Sequence, residues 1–354
     1  MRQKRGVIVR PNATLRQSHK NLPVFDYNKS IFDYNGFSIL ADFYSAIPQN
    51  KKIEKMKIVI TGSLGSISKP LTQQLVHKGH SVTVISSKAD REKSIEELGA
   101  KAAIGTMENI DFLTQTFKGA DIVYLIETIG QSSFFDPNTD IIKAYSEIAS
   151  NYKQAIEKSN IKKVVHLSSI GAHTTEGNGV LAMHYFAEQI LNKLPNDVSI
   201  KFMRPVGFFS NLYRSMQTIK TQGAIVSNYG GDNKEPWVSP LDIASTIVEE
   251  MELPFEGRKI RYIASEEVSP NEIARAIGQA IRKTDLKWLT IPDEQLLNGM
   301  LSMGMNRQIA EGFVNMQAAQ GTGNLYEDYN KNKPTLGKVK LADFAKEFAN
   351  VYNQ

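Results

Sequence analysis

The sequence predicts an α/β protein: a doubly wound parallel sheet over about residues 56–205, then a smaller α+β lobe over about residues 206–354. Three observations predict it. Short β-branched runs alternate with longer helical stretches, which requires βαβ crossovers and a parallel sheet. The first of these runs, Lys57–Thr61, ends in a glycine turn that opens a helix. Beyond residue 205 the alternation continues at lower density.

The elements follow in order. Helical spacing over Ile67–Lys78 stops at Gly79, a common helix terminator. Ser81–Ile85 is a short β-branched run, Lys93–Leu98 is helical, and Ala102–Ile104 is the third strand. A helix at Asp111–Phe117 and a strand at Ile122–Ile126 come next. Asp136-Pro137 opens a long helix through about Ser159, and Lys163–Leu167 is the fifth strand. A helix spans Val180–Leu194, and Val198–Met203 is the sixth strand. In the lobe, Ser239-Pro240-Leu241-Asp242 opens a helix to about Glu252 and Lys259–Ala264 reads as a strand. Ser269-Pro270-Asn271-Glu272 has the cap, proline and N3 glutamate of a helix start. Lys287–Ile291 is a strand, Pro292-Asp293 starts a helix, and Leu341–Tyr352 is a closing amphipathic helix. Gln317–Lys338, rich in Gly, Asn and Lys, reads as a long loop.

Residues 1–55 stand apart. They show no periodicity and carry ten Lys/Arg against four Asp/Glu. That is +6 of a net charge of +5, so the rest is close to neutral at −1. A body without a basic stripe is a poor nucleic-acid binder. The segment is expected to be a disordered basic extension, with a binding arm as the alternative. It has no apolar core and cleavage site of a signal peptide, and its echo of Phe25-Asp26-Tyr27-Asn28 at Phe32-Asp33-Tyr34-Asn35 is too short for a repeat array.

Hydrophobic residues make up 41% of the 354 and charged ones 22%, an ordinary globular balance. No apolar run reaches the length of a bilayer span. The absence of cysteine rules out disulfides, thiolate nucleophiles and cysteine-ligated metals, and it fits a reducing cytoplasm. His166, His173 and His184 lack the spacing of a metal site, and no H-E-x-x-H occurs, so no metal is expected.

The turn Thr61-Gly62-Ser63-Leu64-Gly65-Ser66-Ile67-Ser68 carries the clearest chemistry. Gly62 permits a tight turn, and Gly65 lets backbone approach a pyrophosphate lying on the following helix N-terminus. Because the motif follows a strand and opens a helix, it marks a dinucleotide site of the Rossmann type, formed by Gly62, Ser63, Leu64, Gly65, Ser66 and Ile67. The second strand ends Ser86-Ser87-Lys88, with no Asp or Glu to hold a ribose 2′-hydroxyl. Ser87 and Lys88 suit a 2′-phosphate, which favours NADP(H) over NAD(H).

From Met56 onward the chain resembles the extended and atypical short-chain dehydrogenase/reductase superfamily, in particular its NmrA-like branch. The residues that carry the likeness are T-G-x-x-G at Thr61–Gly65 and Val164-Val165-His166-Leu167-Ser168-Ser169. Arg204-Pro205-Val206-Gly207-Phe208-Phe209-Ser210-Asn211 and Val238-Ser239-Pro240-Leu241-Asp242-Ile243-Ala244 add to it. The resemblance implies that Ser168 and Ser169 face the nicotinamide side. It also implies a Y-x-x-x-K acid–base pair on the next helix, but Met183-His184-Tyr185-Phe186-Ala187-Glu188-Gln189 has His184 and Glu188 at that spacing. Tyr185 is followed four residues later by Gln189. Branch members often lack the pair and include quinone or dye reductases and redox-sensing regulators.

His184 and His173 remain as proton-donor candidates because imidazole titrates near neutrality. His166 reads as a packed core histidine. Neither serine sits in a nucleophile elbow. Phe208, Phe209, Tyr229 and Trp237 are expected near the substrate. Two functions follow: an NADPH-dependent reductase of a small quinone-like or conjugated acceptor, or a non-catalytic NADP(H) sensor acting through a protein partner. A sugar-nucleotide epimerase is disfavoured by the missing pair.

Overall fold

The computed structural model describes residues 54–354; the N-terminal segment, apart from Glu54 and Lys55, lies outside the described residues. The sheet half comprises β1 (Lys57–Ile60), α1 (Ser68–His77), β2 (Ser81–Ser86), α2 (Glu92–Glu96), β3 (Lys101–Ile104), α3 (Ile110–Phe117), β4 (Ile122–Leu125), α4 (Ile141–Ser159), β5 (Lys163–Leu167), α5 (Ala182–Leu191) and β6 (Ser199–Pro205). The rest comprises β7 (Gly207–Phe208), α6 (Met216–Gln222), β8 (Ala224–Ser227), β9 (Glu235–Val238), α7 (Pro240–Glu252), β10 (Arg258–Ile263), β11 (Glu266–Val268), α8 (Pro270–Ala280), β12 (Lys287–Thr290), α9 (Asp293–Ser302), α10 (Arg307–Thr322), α11 (Glu327–Lys331) and α12 (Leu341–Tyr352).

The doubly wound expectation holds. Seven strands lie in the order β10-β6-β5-β4-β1-β2-β3, every pair parallel. The order reverses between β1 and β4, so the loops after these strands diverge and leave a crevice at their carboxyl ends. Both faces are covered, and the strands are correspondingly apolar: β4 is buried at all four positions. One core layer joins α1 and α7 to the sheet through Leu71, Leu75, Ile243 and Ile247. The other joins α3, α4 and α5 through Leu113, Tyr152 and Leu191.

The sheet does not end at residue 205. Its seventh strand, β10, pairs with β6 in register from Arg258↔Ile200 to Ile263↔Pro205, and α7 covers that side. The lobe is therefore threaded through the sheet half. It contains two small sheets, β11-β9-β7 and β12-β8.

Two sequence expectations are corrected. The helix expected from Asp136 begins at Ile141, because Asp140 accepts from Lys143 N and caps it, while Asp136 closes a separate turn on Asn138 N. The loop expected over residues 317–338 is largely helical. α10 continues to Thr322, where Gly321 marks close packing: a Cβ there would lie 2.7 Å from Tyr229 Cβ. The helix stops at Gly323, φ +81°.

The lobe closes over the carboxyl edge of the sheet. Asn306 caps α10 and also donates to the Asp136 and Thr139 carbonyls in the loop after β4. Gly312 of α10 lies against the backbone of Gly179, just before α5.

Candidate functional site

The site is built from the ends of β1, β2, β4 and β5. Thr61 fixes the glycine turn to β4: its hydroxyl donates to Tyr124 O and accepts from Ile126 N at 2.9 Å. Ser63 fixes it to β2: Ser63 N donates to Ile85 O at 3.0 Å and Ser63 Oγ to Ser86 Oγ at 3.0 Å. Gly62 sits at φ +85° and Ser63 at φ +55°. Leu64 and Ile67 anchor the turn in the core, whereas Ser66 is exposed.

This turn suits a dinucleotide. At Gly65 a Cβ would find only Gly62 O, at 3.4 Å, so the exposed side of the turn is open to a phosphate. α1 starts there with no acidic residue in its first turn and no side-chain cap, leaving its positive end for an anion. At the end of β2, buried Ser86 is the organiser: its hydroxyl donates to Lys88 O and accepts from Lys88 N. Ser87 and Lys88 are exposed beside it, and Arg91 follows on a short 3-10 turn.

At the carboxyl end of β5, Ser168 is buried and its hydroxyl donates to Glu188 Oε1 at 2.5 Å. Ser169 is half-buried. Glu188, at the position where the family pattern has lysine, is locked by Arg204. The guanidinium donates from Nε to Oε1 at 2.9 Å and from Nη2 to Oε2 at 2.6 Å. Its third nitrogen meets Tyr262 Oη and Asp328 Oδ2, each at 3.3 Å. Burial opposes the Arg204 charge, but the Glu188 carboxylate outweighs it and holds the guanidinium more firmly protonated than usual.

The histidines fall into separate places. His184 is half-buried, its ring edge-on to Tyr145 at 5.5 Å. Burial pushes it down to about 4, with Glu127 opposing and His166 reinforcing. Its imidazole is therefore neutral at neutral pH, carrying a single ring N–H. His173 is lowered by burial too, against the pull of Asp328, and lies on the Arg204 side. His166 is fully buried, and its Nε2 stands 2.9 and 3.1 Å from the two oxygens of Glu127. Glu127, at the end of β4, has no counterpart in the sequence reading. Its only signal there is an acid closing the apolar run Ile122–Ile126.

The predicted aromatics divide. Phe209 is wholly buried, stacked on Trp237 at 6.0 Å and on Phe344 at 5.4 Å. Trp237 Nε1 and Tyr229 Oη both donate to Glu235, as does Tyr326 Oη. Burial raises that carboxyl to about 7 against its three donors. Phe209, Trp237 and Tyr229 are buried in the lobe, and Phe208 is half-buried against the sheet core. The apolar group beside His184 is a different one: Tyr145, Met183 and Ile309, with Phe134, Phe313 and Met316 packed on it. Among the described residues, no group of three or more His, Cys, Asp or Glu suits a metal ion.

Comparison with known proteins agrees with this geometry. Residues 62–254 match the family model described as NAD(P)H-binding. An isoflavone reductase homolog of Arabidopsis thaliana is 25% identical over 268 residues, 70% of this chain and 81% of its own. Among solved structures, the Escherichia coli NADPH-dependent quinone oxidoreductase complexed with NADPH is 15% identical. It superposes with a TM-score of 0.68 over 82% of this chain and 99% of its own. A nucleoside-diphosphate-sugar epimerase from Staphylococcus aureus, also 15% identical, gives 0.65 over 82% and 100%. At such identities the structural likeness speaks for the fold, and it agrees with the resemblance to short-chain dehydrogenases/reductases.

Proposed function

The chain belongs to the NAD(P)H-binding family, and from that premise we propose that it is an NADPH-dependent reductase of a small quinone-like or conjugated acceptor. The dinucleotide is held by Gly62, Ser63, Leu64, Gly65, Ser66 and Ile67, and when bound it supplies a hydride. The observation that carries the reading is the state of positions 184 and 188. His184 is neutral and Glu188 is closed by Arg204. The helix thus offers no charged acid for a substrate alkoxide. A quinone needs none, because its reduced oxygen takes a proton from water. His184 then serves as a neutral hydrogen-bonding wall, and the acceptor rests on the apolar group of Tyr145, Phe134 and Phe313. The quinone oxidoreductase among the similar structures lends the acceptor class support.

The test is NADPH oxidation against a panel of quinones. Turnover with at least one of them is the expected result. Tight NADPH binding with no turnover on any would instead favour a cofactor sensor working through a protein partner, a reading that the same lack of a titrating acid also fits. A cytoplasmic location and the absence of a nucleic-acid partner belong to the proposal. No helix among the described residues is long and apolar enough to cross a membrane.

The preference for NADP(H) rests on exposed Ser87 and Lys88, with no carboxylate at the end of β2. Lys88→Glu should weaken NADPH binding by roughly tenfold or more, the scale of one charge-assisted contact, and leave NADH nearly unchanged. Equal losses for both cofactors in a titration would remove the assignment.

A further inference from the structure

Two segments flank the apolar group beside His184. The loop after β4 brings Phe134, and α10 with the turn before it brings Met305, Ile309 and Phe313. The rings of Phe134 and Phe313, one from each wall, lie 22° apart with their centroids at 6.4 Å. The walls come from distant parts of the chain, and the loop residue Asp136 meets Asn306 across 170 positions.

Asn306 joins them. Its backbone N–H donates to Phe134 O at 2.8 Å. Its side-chain amide donates to Asp136 O at 2.8 Å and to Thr139 O at 3.1 Å. Its Oδ1 accepts from Ile309 N at 3.2 Å and so caps α10. Among the described residues, the hydrogen bonds between the two walls all start at Asn306. Asparagine suits the task, because it has two donors for two carbonyls and an oxygen for a helix N–H. It is 6% exposed, so water competes little for these bonds.

Further along, α10 is held in another way. Gly312 packs on the segment just before α5, where a Cβ on Gly312 would lie 3.1 Å from Val180 N. Val180 is four residues before His184. On the α5 side, then, α10 is fixed by close backbone packing, which no side chain can release. On the β4 side its hydrogen bonds depend on one residue. The preceding helix α9 has no buried residue, so it adds little to hold that end down.

We propose that Asn306 is a positioning residue of the acceptor site: it clasps the β4 loop to α10 and so fixes the separation of the walls between which the acceptor binds. This inference rests on the reductase reading in placing the acceptor at that apolar group. Without the clasp, the acceptor itself must draw the walls together, and the cost of ordering them falls on acceptor binding. It does not fall on the cofactor, whose turn is held by β2 and β4 through Ser63 and Thr61.

The test compares the full chain with Asn306→Asp and Asn306→Ser, using a quinone that the unaltered protein turns over. Asn306→Asp keeps the side-chain size and an oxygen for Ile309 N, but it offers the two carbonyls no donor. Asn306→Ser keeps a capping hydroxyl of shorter reach, and it decides alone should the aspartate variant fail to fold. In both, the quinone KM should rise about tenfold, the scale of one or two neutral hydrogen bonds. The kcat and the NADPH dissociation constant should stay unchanged, as expected when uniform acceptor binding is lost. Ser269→Ala, which removes the cap of α8 in the lobe, is the control for lost stability and should leave KM alone. An unchanged KM in a folded Asn306 variant overturns the inference and leaves the reductase reading standing. A KM that rises only in step with the NADPH dissociation constant, or that rises equally in Ser269→Ala, also overturns it. No turnover of any quinone by the unaltered protein defeats the reductase reading, and this inference falls with it.

Discussion

Arg204→Ala is expected to lower stability by about 3–5 kcal/mol, the cost of stranding one member of a buried ion pair. The side chains of Arg204 and Glu188 are only 4% and 3% exposed. Among the described residues, alanine would leave the Glu188 carboxylate with the Ser168 hydroxyl as its one remaining donor. It would also take a partner from Asp328, on α11, and from the Tyr262 hydroxyl, on β10. The guanidinium is thus the joint between α5, the sheet and the lobe. At roughly 2 °C or more per kcal/mol in a chain of this size, the melting temperature should fall by about 6–10 °C. Charge burial as the cause has its own control: Arg204→Met with Glu188→Leu removes both charges and keeps most of the volume. It should recover much of the loss, as apolar replacement of buried pairs often does. A drop of less than about 1 kcal/mol for Arg204→Ala would mean that water reaches Glu188 and that the pair does not hold the lobe.

How much of this was legible in the sequence depends on the range over which each feature is specified. The Gly62–Ser68 turn and the six strands up to β6 are written in local composition and period, and they stand where expected. So does the start of α8, where Ser269 and Glu272 form the reciprocal cap that their spacing implies. The role of β10 in the main sheet was not legible, because Arg258–Ile263 reads as a strand without saying which strand it joins. The helical α10 was missed because glycine ordinarily counts against a helix; Gly321 is there for contact with Tyr229, some ninety residues away. The aromatic segment Phe208-Phe209 reads alike for a pocket wall and for a packed interior, and only stacking on Phe344 separates the two.

The site was legible on the cofactor side and much less so on the chemical side. A phosphate-binding turn is a continuous stretch of backbone, so its residues declare themselves together. Glu127 and His166 are 39 positions apart and meet only because β4 and β5 are neighbours. In hindsight the signal is an acid and a base, each at the end of an apolar strand. The commitment of Ser168 to Glu188 likewise needs α5 to lie across β5, which no local pattern specifies.

The second large effect is expected at Gly62. Gly62→Ala should weaken NADPH binding by about a hundredfold or more, equivalent to roughly 2.7 kcal/mol, and should destabilise the fold as well. Two independent causes act there. The backbone sits at φ +85°, where a side chain costs about 1–2 kcal/mol. A Cβ would also come 2.6 Å from Ile126 Cγ2 and 3.1 Å from Ser68 Oγ. Ile126 and Ser68 cannot yield freely: one is held through its amide by Thr61 Oγ1, and the other donates to Thr61 O. The turn itself must move, carrying the start of α1 away from the phosphate position. Gly65→Ala separates the two consequences. Gly65 is not in the left-handed region, and a Cβ there would meet nothing closer than Gly62 O at 3.4 Å, so the fold should tolerate it. The added methyl group would still stand on the exposed side of the turn, where a pyrophosphate must come close to backbone. Gly65→Ala should therefore keep its melting temperature within a degree or so, about the scale of a neutral surface change, yet lose cofactor affinity in a fluorescence titration. If both variants bind NADPH as tightly as the unaltered protein, the turn only connects β1 to α1 and the cofactor lies elsewhere.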